Sequence, residues 1–258
     1  MKALQPVALI ALWLLASAVH ALQLYTEEYA PLSYSHKGQA RGLAVDVVKE
    51  LLQRLDVTAS IQVVPWARAY HSARHTPNTA AFVTMRTEER NPLFKWVGPI
   101  TLSNDSFYAL KESRIQVSNA RELASVKSIA VPRDWFTYQE LHAKGMQNLL
   151  GVTDPRQMFQ LLRLGRVPLI LTDNLSFYAK GEAAALVGNL RKEDVRVVYP
   201  YRSAYGYISF WKGTPDDEIK RWQTALDDMK LDGSFSRIYQ RWLPGETEPG
   251  LRDLTLYD

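Results

Sequence analysis

Apolar and polar positions along this chain alternate between two kinds of pattern, short strand-like runs and longer stretches with helical spacing. Leu22-Gln23-Leu24-Tyr25 alternates and predicts a strand, followed by a loop at Glu27-Glu28-Tyr29-Ala30-Pro31. Val48, Leu51, Leu52 and Leu55 then recur at i, i+3, i+4 and i+7, the stripe of an amphipathic helix that starts near Asp46. Strands are predicted at Ile61–Val64, ended by Pro65, at Ala80–Met85 and at Ser106–Leu110. Ser128–Val131 and Leu169–Leu171 are unbroken apolar runs, as expected of strands buried on both faces. Between them, Thr153 or Asp154 can cap a helix whose first turn holds Pro155 and which Gly165 ends. A further helix follows Thr214-Pro215, with Ile219, Trp222, Leu226 and Met229 on one face. After Asp232-Gly233, Phe235, Ile238, Tyr239 and Trp242 repeat that spacing, and the tail from Pro244 has no period and is expected to wrap the surface or fray. Strand–helix alternation of this kind predicts an α/β fold with largely parallel sheets. Two such sheets would hold a ligand in a cleft between them, because open α/β sheets bind at the carboxyl ends of their strands.

The segment before the first strand has a different character. Met1-Lys2 precedes an apolar stretch from Val7 to Ala18 and then Val19-His20-Ala21, which reads as a secretory signal cleaved after Ala21. As a membrane anchor the run is too short. The expected mature product, residues 22–258, is soluble and periplasmic.

Composition narrows the chemistry. A length of 258 residues suits one large or two modest domains, and 47% hydrophobic with 22% charged residues is globular usage, far from disorder. The formal charge of +4, from 31 basic and 27 acidic residues, is too mild and too evenly spread for a nucleic-acid partner. With no cysteine, disulfides, thiol nucleophiles and Cys-ligated zinc are excluded. His71 and His75 can share a helical face but lack a supporting Glu, so they read as a solvated face and no metal or other cofactor is expected. No GxSxG, DxD or HExxH occurs.

Five spaced segments carry a resemblance to the family 3 solute-binding proteins, the periplasmic receptors of polar amino-acid ABC transporters. Tyr29-Ala30-Pro31-Leu32 resembles the family's aromatic first loop, and Gly42-Leu43-Ala44-Val45-Asp46 its Gly-aromatic-Asp-x-Asp segment. Thr87-Glu88-Glu89-Arg90 resembles its Thr-x-x-Arg, and Gly165 to Asp173 its Gly-(Lys/Arg)-x-Asp-x-x-x-x-Asp. Asp232-Gly233-Ser234-Phe235 with Trp242 resembles its C-terminal signature. The match runs in order from about Leu22 to Leu243. It implies the two-lobe type II periplasmic binding protein fold, each lobe a mainly parallel sheet flanked by helices. One lobe would be residues 22–108 plus 202–258, the other 109–201, with Ser106–Lys111 and Val197–Tyr201 as a two-strand hinge. It also implies a monomer that closes on a small amino acid or organic acid and docks on an inner-membrane ABC permease.

Departures from the family pattern bear on the ligand. Thr84-Met85-Arg86-Thr87 stands where Ser-x-Ser-x-Thr is common, Ala44 and Pro168 replace two aspartates, and Asp134-Trp135-Phe136 replaces a hydroxyl-rich turn with two large rings. An ordinary small amino acid is a doubtful fit. The resemblance makes Arg90 the grip for a ligand carboxylate, in a bidentate pair; read without it, Arg90 is a surface cation bridging Glu88 or Glu89. Thr84 and Arg86 are further candidates on the same segment, Arg86 as a second cation. The resemblance places Asp173 against a ligand ammonium, while the residues alone also allow a helix N-cap before Asn174-Leu175-Ser176-Phe177. Tyr29, Trp66, Trp135 and Phe136 are candidate pocket walls with core packing as the plain alternative, and Tyr34 and Arg68 are weaker candidates.

Two function classes follow. One is a transport receptor without chemistry, which is favoured. The other is an enzyme on this scaffold of the cyclohexadienyl-dehydratase kind, which needs a protonatable carboxyl over the ring, with Asp173 and Asp134 as candidates. A sensory domain would share the receptor's ligand chemistry, and the gene neighbourhood would separate sensing from import. Mass spectrometry of the exported protein should give Leu22 as the first residue; retention of residues 1–21 in a membrane fraction would contradict the signal-peptide reading.

Overall fold

The computed structural model describes residues 21–251, so all but Ala21 of the expected signal segment 1–21 lies outside the described residues, as do residues 252–258 of the tail. The chain begins with β1 (Leu22–Thr26), a small hairpin of β2 (Tyr34–His36) and β3 (Gln39–Arg41), α1 (Leu43–Leu55), β4 (Ala59–Val63), α2 (Trp66–His75), β5 (Thr79–Met85) and the long β6 (Phe94–Leu110). It continues with α3 (Ala120–Ser125), β7 (Ile129–Pro132), α4 (Phe136–Ala143), β8 (Leu149–Val152), α5 (Pro155–Arg163) and β9 (Leu169–Asp173). A second long strand, β10 (Val195–Trp211), leads to α6 (Asp216–Leu231) and α7 (Ser234–Trp242).

The apolar runs predicted as strands lie in strands except for Val64 and Ser128, each one residue outside, and eight of the strands join one sheet in the order β4-β1-β5-β10-β6-β9-β7-β8. β1 pairs parallel with β4 and β5, and β7 pairs parallel with β8 and β9. These two parallel triplets are the sheets of two lobes. The antiparallel pair β6–β10 joins them, each strand 17 residues long, roughly three times an ordinary strand. Gly206–Phe210 of β10 pair with β5 in the first lobe, and Asp105–Tyr108 of β6 pair with β9 in the second. The crossing therefore falls at Thr101–Asn104 opposite Ser203–Gly206, with register shifts on both sides of it. The hinge segments implied by the resemblance lie a few residues further into the second lobe, where Ser106–Tyr108 are tied to β9. The crossing itself is mostly polar, Thr101-Leu102-Ser103-Asn104 on β6, and carries no strand-like hydrophobic signal.

The periodicity of α1 is satisfied by burial of Leu43, Ala44, Val47, Val48, Leu51 and Leu55. These pack with Phe82, Ile100, Phe210, Trp222, Phe235 and Tyr239 in the first lobe's core. The second lobe has a core on each face of its sheet. Ala130, Ile170, Met158, Phe159 and Phe177 lie on the α5 side, and Phe107, Ile129, Val131, Leu141 and Leu171 on the other. Successive residues of β7 and β9 thus serve opposite cores, which is why those strands read as unbroken apolar runs. The helix after Thr153 forms as expected, with the Asp154 side chain accepting from the Arg156 N–H and Pro155 in the first turn. Beyond α7 the described tail follows the surface, its Glu246 accepting from Asn174 Nδ2 at 2.7 Å and the Tyr178 hydroxyl at 2.6 Å of the second lobe.

α1 starts three residues earlier than the hydrophobic period suggests, because Gly42 turns the chain at φ 126°. This lets Leu43 and Ala44 donate their N–H groups to the carbonyls of Pro31 and Leu32 at 3.0 and 2.9 Å, which anchors the loop after β1 to the helix. A Cβ on Gly42 would lie 2.4 Å from the Leu32 carbonyl oxygen. Gly42→Ala should therefore cost about 3 kcal/mol and Gly38→Ala, at φ 75° with open space around it, about 1 kcal/mol, measured by urea denaturation.

Candidate functional site

The two lobes meet over a small cavity of about 30 Å³, room for little more than one or two waters. The loop after β1 supplies its first wall. Ser33 Oγ donates to the Glu27 carbonyl at 2.8 Å and Tyr29 bridges to Ser33, folding the loop so that the Glu27 and Tyr29 side chains line the cavity. Trp66 at the start of α2, Val83 and Met85 near the end of β5, and Arg90 in the following turn complete the first lobe's contribution. From the second lobe come Trp135 and the first turn of α4 with Phe136 and Thr137, Leu171 and Thr172 of β9, and Asp105 just beyond the crossing. Past Arg90 and Phe136 the cleft widens into a groove of about 680 Å³ that Glu88, Glu89, Glu140, Lys144 and Arg202 border.

Arg90 is only 7% exposed, yet among the described residues it makes no ion pair. Its guanidinium lies 5.1 Å from the Tyr70 ring and 5.9 Å from the Trp66 ring, and Nη1 donates to the Met85 carbonyl at 3.4 Å. Burial lowers its pKa, against the attraction of Tyr70, Glu27 and Glu89. Burial also pushes the Glu27 carboxyl up to about 8, although the Trp135 indole N–H donates to both of its oxygens at 3.0 and 3.1 Å and Arg90 favours its ionised form. Asp105 is likewise pushed up to about 8, first by burial and then by the charge of Asp173, with Arg202 and Ser103 opposing. The cavity thus holds one buried cation and two carboxyls that are substantially protonated at neutral pH.

The Glu27–Trp135 hydrogen bonds cross from lobe to lobe, and the Tyr29 and Trp135 rings meet with centroids 5.0 Å apart. Tyr29 also donates its hydroxyl across the cleft to Asp173.

Of the residues singled out in the sequence, Tyr29, Trp66, Arg90, Trp135 and Phe136 come together on the cavity wall. Asp173 lies behind it, bonded to Tyr29 and to the N–H groups of Leu175 and Ser176, which is the capping arrangement its sequence position also allowed. Thr84 is buried in β5, where its hydroxyl meets that of Ser209 at 2.7 Å, away from the cavity. Arg86 donates to Asn91 Oδ1 at 2.8 Å and lies against Trp96 and Tyr207, also away from the cavity. Arg68 is exposed on α2, and Tyr34 lies at the lobe boundary with its hydroxyl 3.4 Å from Glu182. Sequence reasoning missed Glu27, Asp105, Met85 and Thr137. Glu27 stood visible two residues before Tyr29, and Asp105 as a polar break ahead of the apolar run Ser106–Leu110, but neither fits a motif.

A two-lobe α/β molecule joined by a crossing strand pair, with a cavity between the lobes, has the architecture of the periplasmic binding proteins. The chain belongs to the bacterial extracellular solute-binding proteins, family 3, whose sequence profile matches residues 23–245. It is 22% identical over 239 residues to the L-cystine-binding protein TcyA of Bacillus subtilis (strain 168), covering 90% of this chain and 84% of that one. A histidine kinase sensor domain similar to periplasmic binding proteins shares the fold with a TM-score of 0.76 at 16% identity, over 89% of this chain and 98% of that one. The ancestral amino acid-binding protein AncCDT-1, a precursor of cyclohexadienyl dehydratase, does so with a TM-score of 0.71 at 19% identity, over 86% and 94% of the two chains. No helix among the described residues is long and apolar enough to cross a membrane.

Raised carboxyl pKa values make stability pH-dependent with a definite sign. Between the ordinary values of 4.5 for Glu and 3.8 for Asp and the folded values of about 8, the folded protein holds more protons than the unfolded chain. These groups therefore contribute stability below pH 4 that is progressively lost as pH rises to about 8. Urea denaturation from pH 4 to pH 8 should show the combined Glu27→Gln, Asp105→Asn variant losing less stability over that range than the native chain. An identical profile for the two proteins would contradict the assignment.

Proposed function

We propose that this protein is an exported periplasmic receptor that captures a small carboxylate-bearing ligand, an amino acid or a related compound, in the interlobe cleft. It delivers the ligand to an inner-membrane ABC permease and performs no chemistry itself. The observation that carries the reading is Arg90. A guanidinium buried to this degree without an ion pair is costly, and stacking on Tyr70 and Trp66 offsets only part of that cost. A planar carboxylate arriving between the lobes supplies the missing partner in bidentate geometry. The neighbouring rings of Tyr29, Trp66, Trp135 and Phe136 supply apolar walls for the rest of the ligand. Family membership and the amino-acid and cystine binders among the similar proteins support the ligand class. The wide outer groove is the route of entry, and the small cavity requires the lobes to part before a ligand seats. Closure on the ligand is then a population shift toward the state in which both lobes touch it.

A second reading rests on Glu27 and Asp105. Carboxyls held protonated near neutrality beside a buried arginine suit proton donation during an elimination of the cyclohexadienyl-dehydratase kind. Carbon dioxide release from a cyclohexadienyl carboxylic acid would establish that reading; binding without release supports the receptor.

Isothermal titration against a panel of L-amino acids and organic acids tests the anchor. Arg90→Ala should weaken carboxylate ligands by about 100-fold, the usual scale for truncating one partner of a buried charge pair. Arg90→Lys should recover only part of that loss, since an ammonium keeps the charge but not the fork. Unchanged affinity in Arg90→Ala would remove Arg90 from the site.

A further inference from the structure

Asp105 and Asp173 stand opposite each other in register across β6 and β9, and their carboxyl groups are engaged very differently. Asp173 has its acceptors occupied. Oδ1 takes the N–H of Leu175 at 2.7 Å and of Ser176 at 3.0 Å, and Oδ2 takes the Tyr29 hydroxyl from the other lobe. It is 1% exposed and does not line the cavity. A ligand nitrogen could reach it only by displacing Tyr29.

Asp105 does line the cavity at 7% exposure, and although Ser103 favours its ionised form, its Oδ2 is buried without a hydrogen-bond partner among the described residues. Thr137 Oγ1, in the first turn of α4, lines the same cavity and is also buried without a partner. Buried polar atoms are nearly always hydrogen-bonded, and an exception needs an explanation. Two such atoms on one cavity, together with an unpaired guanidinium, are explained by a ligand that brings both a carboxylate and a nitrogen donor. The surrounding charges favour a cation at Asp105. Asp173 on β9, whose own pKa burial raises against its hydrogen bonds from Tyr29, Ser176 and Leu175, and Glu140 on α4 are the neighbouring carboxyls, Tyr29 and Tyr108 are phenols nearby, and Arg202 on β10 is the opposing cation.

We infer that Asp105, and not Asp173, receives the ammonium of a zwitterionic ligand whose carboxylate is held by Arg90, with the Thr137 hydroxyl as a second polar partner. The inference rests on the receptor reading and deepens it by naming the ligand class and the residue that selects it. The ammonium partner then sits one residue from the strand crossing, so ligand charge acts directly at the hinge. Binding a cation there also ionises Asp105, and the proton leaves to solvent.

The test uses the mature protein and four probes, L-arginine, L-glutamine, L-cystine and L-phenylalanine, each paired with the acid that lacks its α-amino groups. For the tightest probe, Asp105→Asn should bind the amino acid about 30-fold more weakly and the deaminated acid within threefold of the native protein. Asp173→Asn should change both by the same factor, because it removes only the Tyr29 contact between lobes. Titration at pH 7 in phosphate and in Tris should show proton release on amino-acid binding to the native protein and less in Asp105→Asn, a difference that a structural role would not produce. Asp105→Asn keeps the shape of the side chain and one acceptor oxygen, and circular dichroism of the variant at pH 7 should show the native fold. Selective loss of the amino acid in Asp173→Asn, equal loss of both ligands in Asp105→Asn, or unchanged binding there would each overturn the inference while leaving the receptor reading in place. Failure of the native protein to bind any probe would overturn the amino-acid receptor reading and the inference with it.

Discussion

The antiparallel pairing of β6 with β10 is the constraint on which the rest of the molecule depends. Val195 pairs with Leu110 at one end and Trp211 with Phe94 at the other, so a single ladder runs through both lobes. Each lobe then needs only a parallel triplet and its flanking helices to bury its apolar faces. Because both lobes grow from one pair of strands, that pair sets how their facing edges lie near the crossing. Register shifts on either side of Thr101–Asn104 interrupt the ladder next to the crossing, as β-bulges do. The cavity lies next to this crossing, with Asp105 of β6 on its wall.

Electrostatics divides the cavity between the lobes. The first lobe offers Arg90 and Glu27, the second Asp105 and the donor Trp135. Burial works against every ionised form here, lowering the arginine and raising both acids. Trp135 bonded to Glu27 and Tyr29 bonded to Asp173 are adjacent links between the lobes, with one donor supplied by each lobe. Further out, Glu246 of the tail reaches Asn174 and Tyr178 and pairs with Lys192 at 3.6 Å, tying the first lobe's last segment to the second lobe. Asn174 in turn accepts from the Asn104 N–H at 2.8 Å through its side chain, so this outer contact also bears on the crossing.

The loop Glu27–Ser33 shows how local backbone chemistry positions a site. Its carbonyls at Pro31 and Leu32 accept the first N–H groups of α1, groups that a helix cannot bond internally. The same contact that caps the helix holds Glu27 and Tyr29 against the second lobe. Gly42 permits it, since no side chain fits between the helix start and the loop.

Much of the fold was determined by sequence alone. Periodicity marked β1, α1, α6 and α7, apolar runs marked β4, β5, β7 and β9, and capping residues marked α5, because apolar faces must be buried and helix ends satisfied locally whatever the topology. Arg90 and Tyr29 were legible because they stand in ordered family segments, and Trp66, Trp135 and Phe136 because large rings in loops are unusual enough to notice. Tertiary structure alone decided the rest. The crossing is mostly polar and gave no periodic signal, so its place emerges only from which strands pair. Asp173 and Asp105 are both aspartates beside apolar runs. Only the approach of Tyr29 from the other lobe, with two backbone N–H groups, engages the first carboxyl, while the second is left facing the cavity. Thr84 and Arg86 stood in the same motif as Arg90, but strand geometry turns Thr84 toward Ser209 and Arg86 toward Trp96 and Tyr207. A linear motif records proximity along the chain, and it is the direction of each side chain across the cleft that makes a site.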